Sequence, residues 1–192
     1  MSSPKPLKQA RAAATREKLL DAAAVVAQNR GLAEFTLENV AEQAGVSKGG
    51  LLYHFASKDE LIVGLLDQTL RATEVEIENR VAELGAGPGS FAIAYLDYVR
   101  EPNRPEVEFA SSLLAAAASK TDLLGNARES FAGWSDRLMT DDGISRSTGL
   151  LARVVSEGLW LTDLFGLAPP TAGDRADVLD VVIAMIEADV TN

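Results

Sequence analysis

Residues 36–60 read TLENVAEQAGVSKGGLLYHFASKDE. Thr36 is of the helix N-cap type, and Leu37, Val40, Ala41 and Ala44 follow it at the spacing of one helical face. Gly45 stops that helix. Ser47 then caps a second, short helix carrying Leu51, Leu52 and Phe55. Ser57-Lys58-Asp59-Glu60 has capping-box form and opens a third, in which Leu61, Ile62, Leu65, Leu66 and Leu70 repeat at helical spacing. Two short helices joined by a tight glycine turn form the geometry that lays the second helix in the major groove of DNA.

Outward from this stretch the pattern stays helical. A first helix is expected from about Ala13 to Asn29, with Leu19, Leu20, Ala23, Val26 and Ala27 inward and Gly31 as its stop. Residues 1–10, with Ser, Pro and Lys, read as a disordered basic arm. The helix opened at Ser57 continues to about Leu84. Gly85-Ala-Gly-Pro-Gly-Ser90 then reads as a linker, because no Gly-Lys-Ser/Thr follows it and no strand precedes it. Five more helices are expected at about 90–101, 106–118, from Thr121 to near Asp142, 145–165 and 174–189. No strand pattern competes, so the chain is expected to be all-α with about nine helices. Residues 1–60 should form a helix-turn-helix head and residues 61–192 a helical body.

Charge divides the same way. Residues 1–58 hold 8 Lys/Arg against 5 acids, and residues 59–192 hold 10 against 23, within an overall net charge of −10. A mildly basic head on an acidic body suits phosphate at one end only. Having no cysteine, the chain can form neither disulfides nor thiolate metal sites. No run of 18 apolar residues suggests a membrane span, and the basic N-terminus lacks the apolar core of a secretory signal. These features imply a soluble, cytoplasmic chain. The only histidine, His54, lies in the head, where no Gly-x-Ser-x-Gly turn or sheet could carry a Ser-His-Asp triad, and histidine-based metal catalysis needs more ligands. An enzyme is therefore the weakest reading, and a helical interaction module blind to DNA is the alternative to a DNA reader. No cofactor or metal is expected.

Within the head, Lys48 stands in the first turn of the second short helix, where a side chain can donate to guanine O6 and N7. Gly49 and Gly50 each cost a helix roughly 1 kcal/mol against alanine, which makes sense if the backbone must come close to a duplex. Ser47, Thr36, Tyr53, His54 and Lys58 complete the contact set, with polar tips suited to phosphate oxygens.

Residues from about 13 to 66 resemble the N-terminal domain of the TetR/AcrR family of transcriptional regulators. The resemblance is carried by Thr36-Leu37-Glu38-Asn39-Val40-Ala41, Ala44-Gly45-Val46-Ser47-Lys48-Gly49, Tyr53-His54-Phe55 and Ser57-Lys58-Asp59-Glu60-Leu61. It implies that Lys48, Gly49 and Gly50 face bases while Thr36, Tyr53, His54 and Lys58 face phosphates. Two positions depart from the family pattern. Leu52 replaces a phosphate-contacting tyrosine of many members, and Glu38 stands where some carry a base-reading arginine, which leaves it a cytosine N4 acceptor or a bystander.

The last two helices carry more apolar surface than a monomer needs. Leu151, Val155 and Leu159 on one, with Val178, Val182 and Ile186 on the other, are candidates for an isologous four-helix dimer interface, the arrangement the resemblance implies. It also implies that a small apolar or amphipathic effector binds among the body helices. Tyr95, Tyr98, Phe109, Phe131, Trp134 and Met139 are the candidate wall residues. The expected partners are thus double-stranded DNA with a palindromic operator, a second copy of the chain and an effector. The expected activity is repression relieved by that effector.

Overall fold

The computed structural model describes residues 5–31, 34–101, 104–118 and 120–191. Every regular element among them is helical, and no strand occurs. The α-helices are α1 (Lys5–Arg30), α2 (Leu37–Ala44), α3 (Lys48–Leu52), α4 (Lys58–Glu83), α5 (Ser90–Tyr98), α6 (Pro105–Ala118), α7 (Gly125–Asp136), α8 (Arg146–Phe165) and α9 (Ala172–Val190). A 3₁₀ turn at Thr121–Leu124 precedes α7, and a wide π turn at Arg137–Asp141 follows it.

One expectation is corrected at the start of the chain. Residues 1–4 of the anticipated arm lie outside the described residues, but from Lys5 onward the backbone is already α-helical. Alanine, arginine and lysine at positions 10–18 are strong helix formers, and Pro6 falls in the first turn, where its missing N–H costs no intrahelical bond.

The chain forms two compact units, Met1–Thr69 with Ser112–Leu124, and Leu70–Ser111 with Gly125–Asn192. The division expected after residue 60 falls inside α4, which supplies residues to both units, as does α6. In the first unit Leu19, Leu20, Ala23 and Val26 of α1 meet Phe35, Val40, Ala41, Leu51, Phe55, Leu61 and Leu65 in a core where every side chain is buried. Gly64 permits this packing, since a Cβ there would lie 2.9 Å from Phe55 and 3.1 Å from Leu20.

The short helices are set by their caps. Thr36 Oγ1 accepts the Asn39 N–H (3.2 Å) and Ser47 Oγ accepts the Gly50 N–H (3.1 Å). Gly45 takes φ +67°, the left-handed turn that lets its N–H and that of Val46 bond back to Glu42 and Ala41. Ser57 Oγ accepts the Glu60 N–H (3.1 Å), and the Glu60 carboxylate accepts the Ala56 N–H (2.8 Å), so α4 begins at a fixed angle to α3.

In the second unit Phe91, Leu96, Leu138, Ala152, Leu179 and Ile186 are fully or almost fully buried. Asp142 ties the unit together from a distance in sequence. Its carboxylate accepts the N–H groups of Phe91 (3.0 Å) and Ala92 (2.8 Å), capping α5, whose own cap residue Gly89 has no side chain to do so. Gly149 lets α8 lie directly on the wide turn, because a Cβ there would sit 2.0 Å from the Leu138 carbonyl oxygen.

Candidate nucleic-acid interface

Of the residues singled out for DNA contact, Thr36, Ser47, Lys48, Gly49, Gly50, Tyr53 and Lys58 are exposed and His54 is half-buried. Leu51 is fully buried and anchors α3. Around it Ser47, Lys48, Gly49, Gly50, Leu52 and Tyr53 are all exposed, and Tyr53 reaches 79% exposure. A tyrosine so far out of the core cannot be there for packing. Its ring meets that of His54 edge-on at 5.2 Å.

Gly49 and Gly50 are not demanded by the fold. A Cβ at Gly49 would have no neighbour nearer than 4.0 Å, and one at Gly50 only an ordinary contact of 3.4 Å with Ser47 Oγ. Both lie within the five-residue helix α3. Their missing side chains therefore leave room outside the molecule, not within it.

Thr36 and Ser47 hold the ends of α2 and α3 by accepting backbone N–H groups, and a hydroxyl that accepts can still donate its own hydrogen to a phosphate oxygen. Lys58, exposed in the first turn of α4, lies 5.6 Å from the centre of the Phe35 ring. Sequence reasoning missed one partner. Glu38, read as a cytosine N4 acceptor or a bystander, accepts a hydrogen bond from the Lys48 ammonium across the turn between α2 and α3. That bond holds the Glu38 carboxyl below the usual glutamate range.

With this geometry in hand, the likeness to known proteins is decisive. Residues 19–65 match the bacterial regulatory proteins of the tetR family, and residues 89–187 match the tetracyclin repressor-like C-terminal domain. The chain belongs to the TetR family. The family models describe regulatory proteins rather than enzymes. Among TetR-type relatives, it is 31% identical over 104 residues to the A-factor receptor protein of Streptomyces griseus, which covers 53% of this chain and 38% of that protein. To the regulator TtgR of Pseudomonas putida it is 43% identical over 53 residues, or 28% of this chain and 25% of the relative. The chain thus matches well under half the length of these relatives. The crystal structure of the multidrug binding protein EbrR complexed with imidazole superposes with a TM-score of 0.65 at 26% identity, covering 87% of this chain and 93% of that one. The complex of EbrR with malachite green gives 0.63 at 26%, covering 87% and 96%.

In the body of this TetR protein the expected effector residues divide. Tyr95, Trp134 and Phe131 join in one aromatic chain, with ring centres 6.1 Å apart between Tyr95 and Trp134 and 5.1 Å between Phe131 and Trp134. Two rings outside the expected set extend it, Phe91 at 6.1 Å from Tyr95 and Trp160 at 6.3 Å from Phe131. Burial pushes the Tyr95 phenol well above its ordinary pKa. Trp160 Nε1 donates to Ser111 Oγ at 2.6 Å, so its polar edge is already satisfied. Tyr98 lies elsewhere, lining a polar cleft of about 570 Å³ with Glu76, Arg80, Asp97 and Arg100, and its hydroxyl meets Thr73 Oγ1 at 3.0 Å. Phe109 is half-buried on α6, and Met139 half-buried in the wide turn.

The last two helices turn differently from the expectation. Val182 (3% exposed) and Ile186 (fully buried) point into their own unit and have no surface to offer a partner. Leu151, Val155 and Leu159 are half-buried, and of the α9 candidates only Val178 is exposed. The outward apolar rows are instead Leu150, Val154, Leu161 and Phe165 on α8, and Val178, Val181 and Met185 on α9. Apolar residues surround both helices, so periodicity alone did not reveal which row faced out.

Proposed function

We propose that this TetR-family chain binds a palindromic operator as a homodimer and represses transcription until a small apolar or amphipathic effector releases it. The observation that carries the reading is α3: a helix anchored by one buried leucine, with Lys48, Gly49, Gly50 and Tyr53 all presented to solvent. Lys48 with the glycine backbone is the base-facing part, and Thr36, Ser47, Tyr53, His54 and Lys58 contact phosphates. Residues 1–60 serve as the reader, and residues 61–192 dimerise and sense.

The exposed rows on α8 and α9 support the dimer, because one α3 buries too little surface for operator specificity and two heads on a two-fold axis read a palindrome. The aromatic chain of Phe91, Tyr95, Phe131, Trp134 and Trp160 supports an effector with a flat apolar face. In the same sense, the EbrR structures hold imidazole and malachite green, and a relative from Mycobacterium tuberculosis, KstR2, is named a transcriptional repressor. The effector stabilises a body conformation in which the two heads no longer fit successive major grooves. No described helix is long and apolar enough to cross a membrane, and the protein acts where the DNA is, in the cytoplasm.

Selection of bound duplex from a random library with the purified chain tests the reading. Enrichment of two inverted half-sites one helical turn or a multiple apart is expected. Recovery of no sequence, or of a single asymmetric site, would overturn it.

A further inference from the structure

Glu38 lies in the first turn of α2 and Lys48 in the first turn of α3, and the Lys48 ammonium donates to the Glu38 carboxylate. Their side chains are 60% and 54% exposed, so the pair adds little to the stability of the fold. Its position is what matters. Lys48 is followed directly by Gly49 and Gly50, both exposed, which add no side chain of their own beside it. Lys48 keeps two further N–H donors and Glu38 keeps spare lone pairs, so the pair presents a donor and an acceptor side by side in a fixed order.

The major groove offers the complementary pattern. At the middle of each base pair an acceptor and a donor lie next to each other, hydrogen-bonded together. They are guanine O6 beside cytosine N4, or thymine O4 beside adenine N6. Read from one strand, guanine and thymine give the order acceptor then donor, and cytosine and adenine give the reverse. Guanine adds N7 as a second acceptor for the ammonium, whereas thymine puts its methyl group in the way.

We propose that Glu38 and Lys48 act as one reading unit that selects guanine at a position of each half-site. Lys48 donates to O6 and N7 while Glu38 accepts from N4 of the paired cytosine. With cytosine or adenine on the near strand the order is reversed, so that ammonium faces amino group and carboxylate faces oxygen. Glu38 is thereby the specificity-determining residue: it supplies the rejection that a lone lysine, free to move to a phosphate, would not. The proposal rests on α3 being the DNA-facing helix.

The test is the full-length chain and its Glu38→Gln variant, each used to select duplex from a random library. Their affinities are then measured for the enriched operator with each of the four base pairs at every half-site position. An amide both donates and accepts, so the fixed order disappears. Wild type should lose about ten-fold or more at one position when guanine is replaced by cytosine or adenine. The variant should lose less than about three-fold there, with other positions unchanged. Equal discrimination by the two proteins at every position would overturn the dyad while leaving operator binding intact. Failure of wild type to enrich any duplex would overturn both.

Discussion

Asp142 and Asp189 each accept backbone N–H near a helix start, yet their pKa values shift in opposite directions. Asp142 is buried beneath α5, and desolvation raises its pKa above 3.8 against the pull of the Ala92 and Phe91 N–H groups and of Arg137. Asp189 lies at the surface, where the Ser145 N–H, donated at 2.6 Å, lowers its pKa below 3.8. The folded chain therefore takes up the Asp142 proton more readily than the unfolded chain does. That contribution to stability is present below pH 3.8 and is lost as pH rises through the folded value. For Asp189 the sign is reversed: its contribution is present above pH 3.8 and is lost as pH falls through its folded value. Carboxyl NMR during an acid titration should show Asp142 protonating before Asp189, with Asp189→Asn removing part of the acid-induced destabilisation. Protonation of Asp189 ahead of Asp142 would contradict the assignment. Sequence reading saw Asp142 only as a helix end, because its bond partners lie 50 and 51 residues away.

Helix starts were legible wherever the signal was local. Thr36, Ser47 and Ser57 with Glu60 cap the helices they were expected to cap, since a cap needs only its next few residues. Helix faces were less legible. On α9 the inward row is Arg175, Leu179, Val182 and Ile186, all buried. Arginine is ordinarily a surface residue, so Arg175 in register with three aliphatic side chains masked the inward turn of this row. Arg175 donates to both oxygens of Asp163 on α8 (2.6 and 2.8 Å) and to the Val99 carbonyl at the end of α5 (2.9 Å), clamping three helices. Removing one partner of a buried pair strands the other, so Arg175→Ala should cost about 3–5 kcal/mol in urea unfolding. Arg175→Met combined with Asp163→Leu should recover most of that loss, because matched apolar groups can replace a buried ion pair. A single variant as stable as wild type would show that the clamp contributes nothing.

For the whole molecule, charge and motif agree about which end meets DNA. The basic surplus lies within residues 1–58 and the acidic surplus beyond, so the body is repelled by phosphate and the head is drawn to it. The family and the helix-turn-helix were legible in one short stretch because both depend on residues close together in sequence. The grouping of the aromatic residues was only partly so: the structure joins Tyr95, Phe131 and Trp134 with Phe91 and Trp160, but sets Tyr98 on a separate cleft. Which rings meet is decided by packing between α5, α7 and α8, and no single helix records it. The decisive measurement is the affinity of the Lys48→Ala/Tyr53→Ala variant for the selected operator, with circular dichroism as the check on its fold. Both side chains are exposed, so helix content should stay at the wild-type level while Kd rises by about 100-fold or more. A correctly folded variant that holds the operator within about two-fold of wild type would contradict the assignment of α3 as the helix that enters the groove.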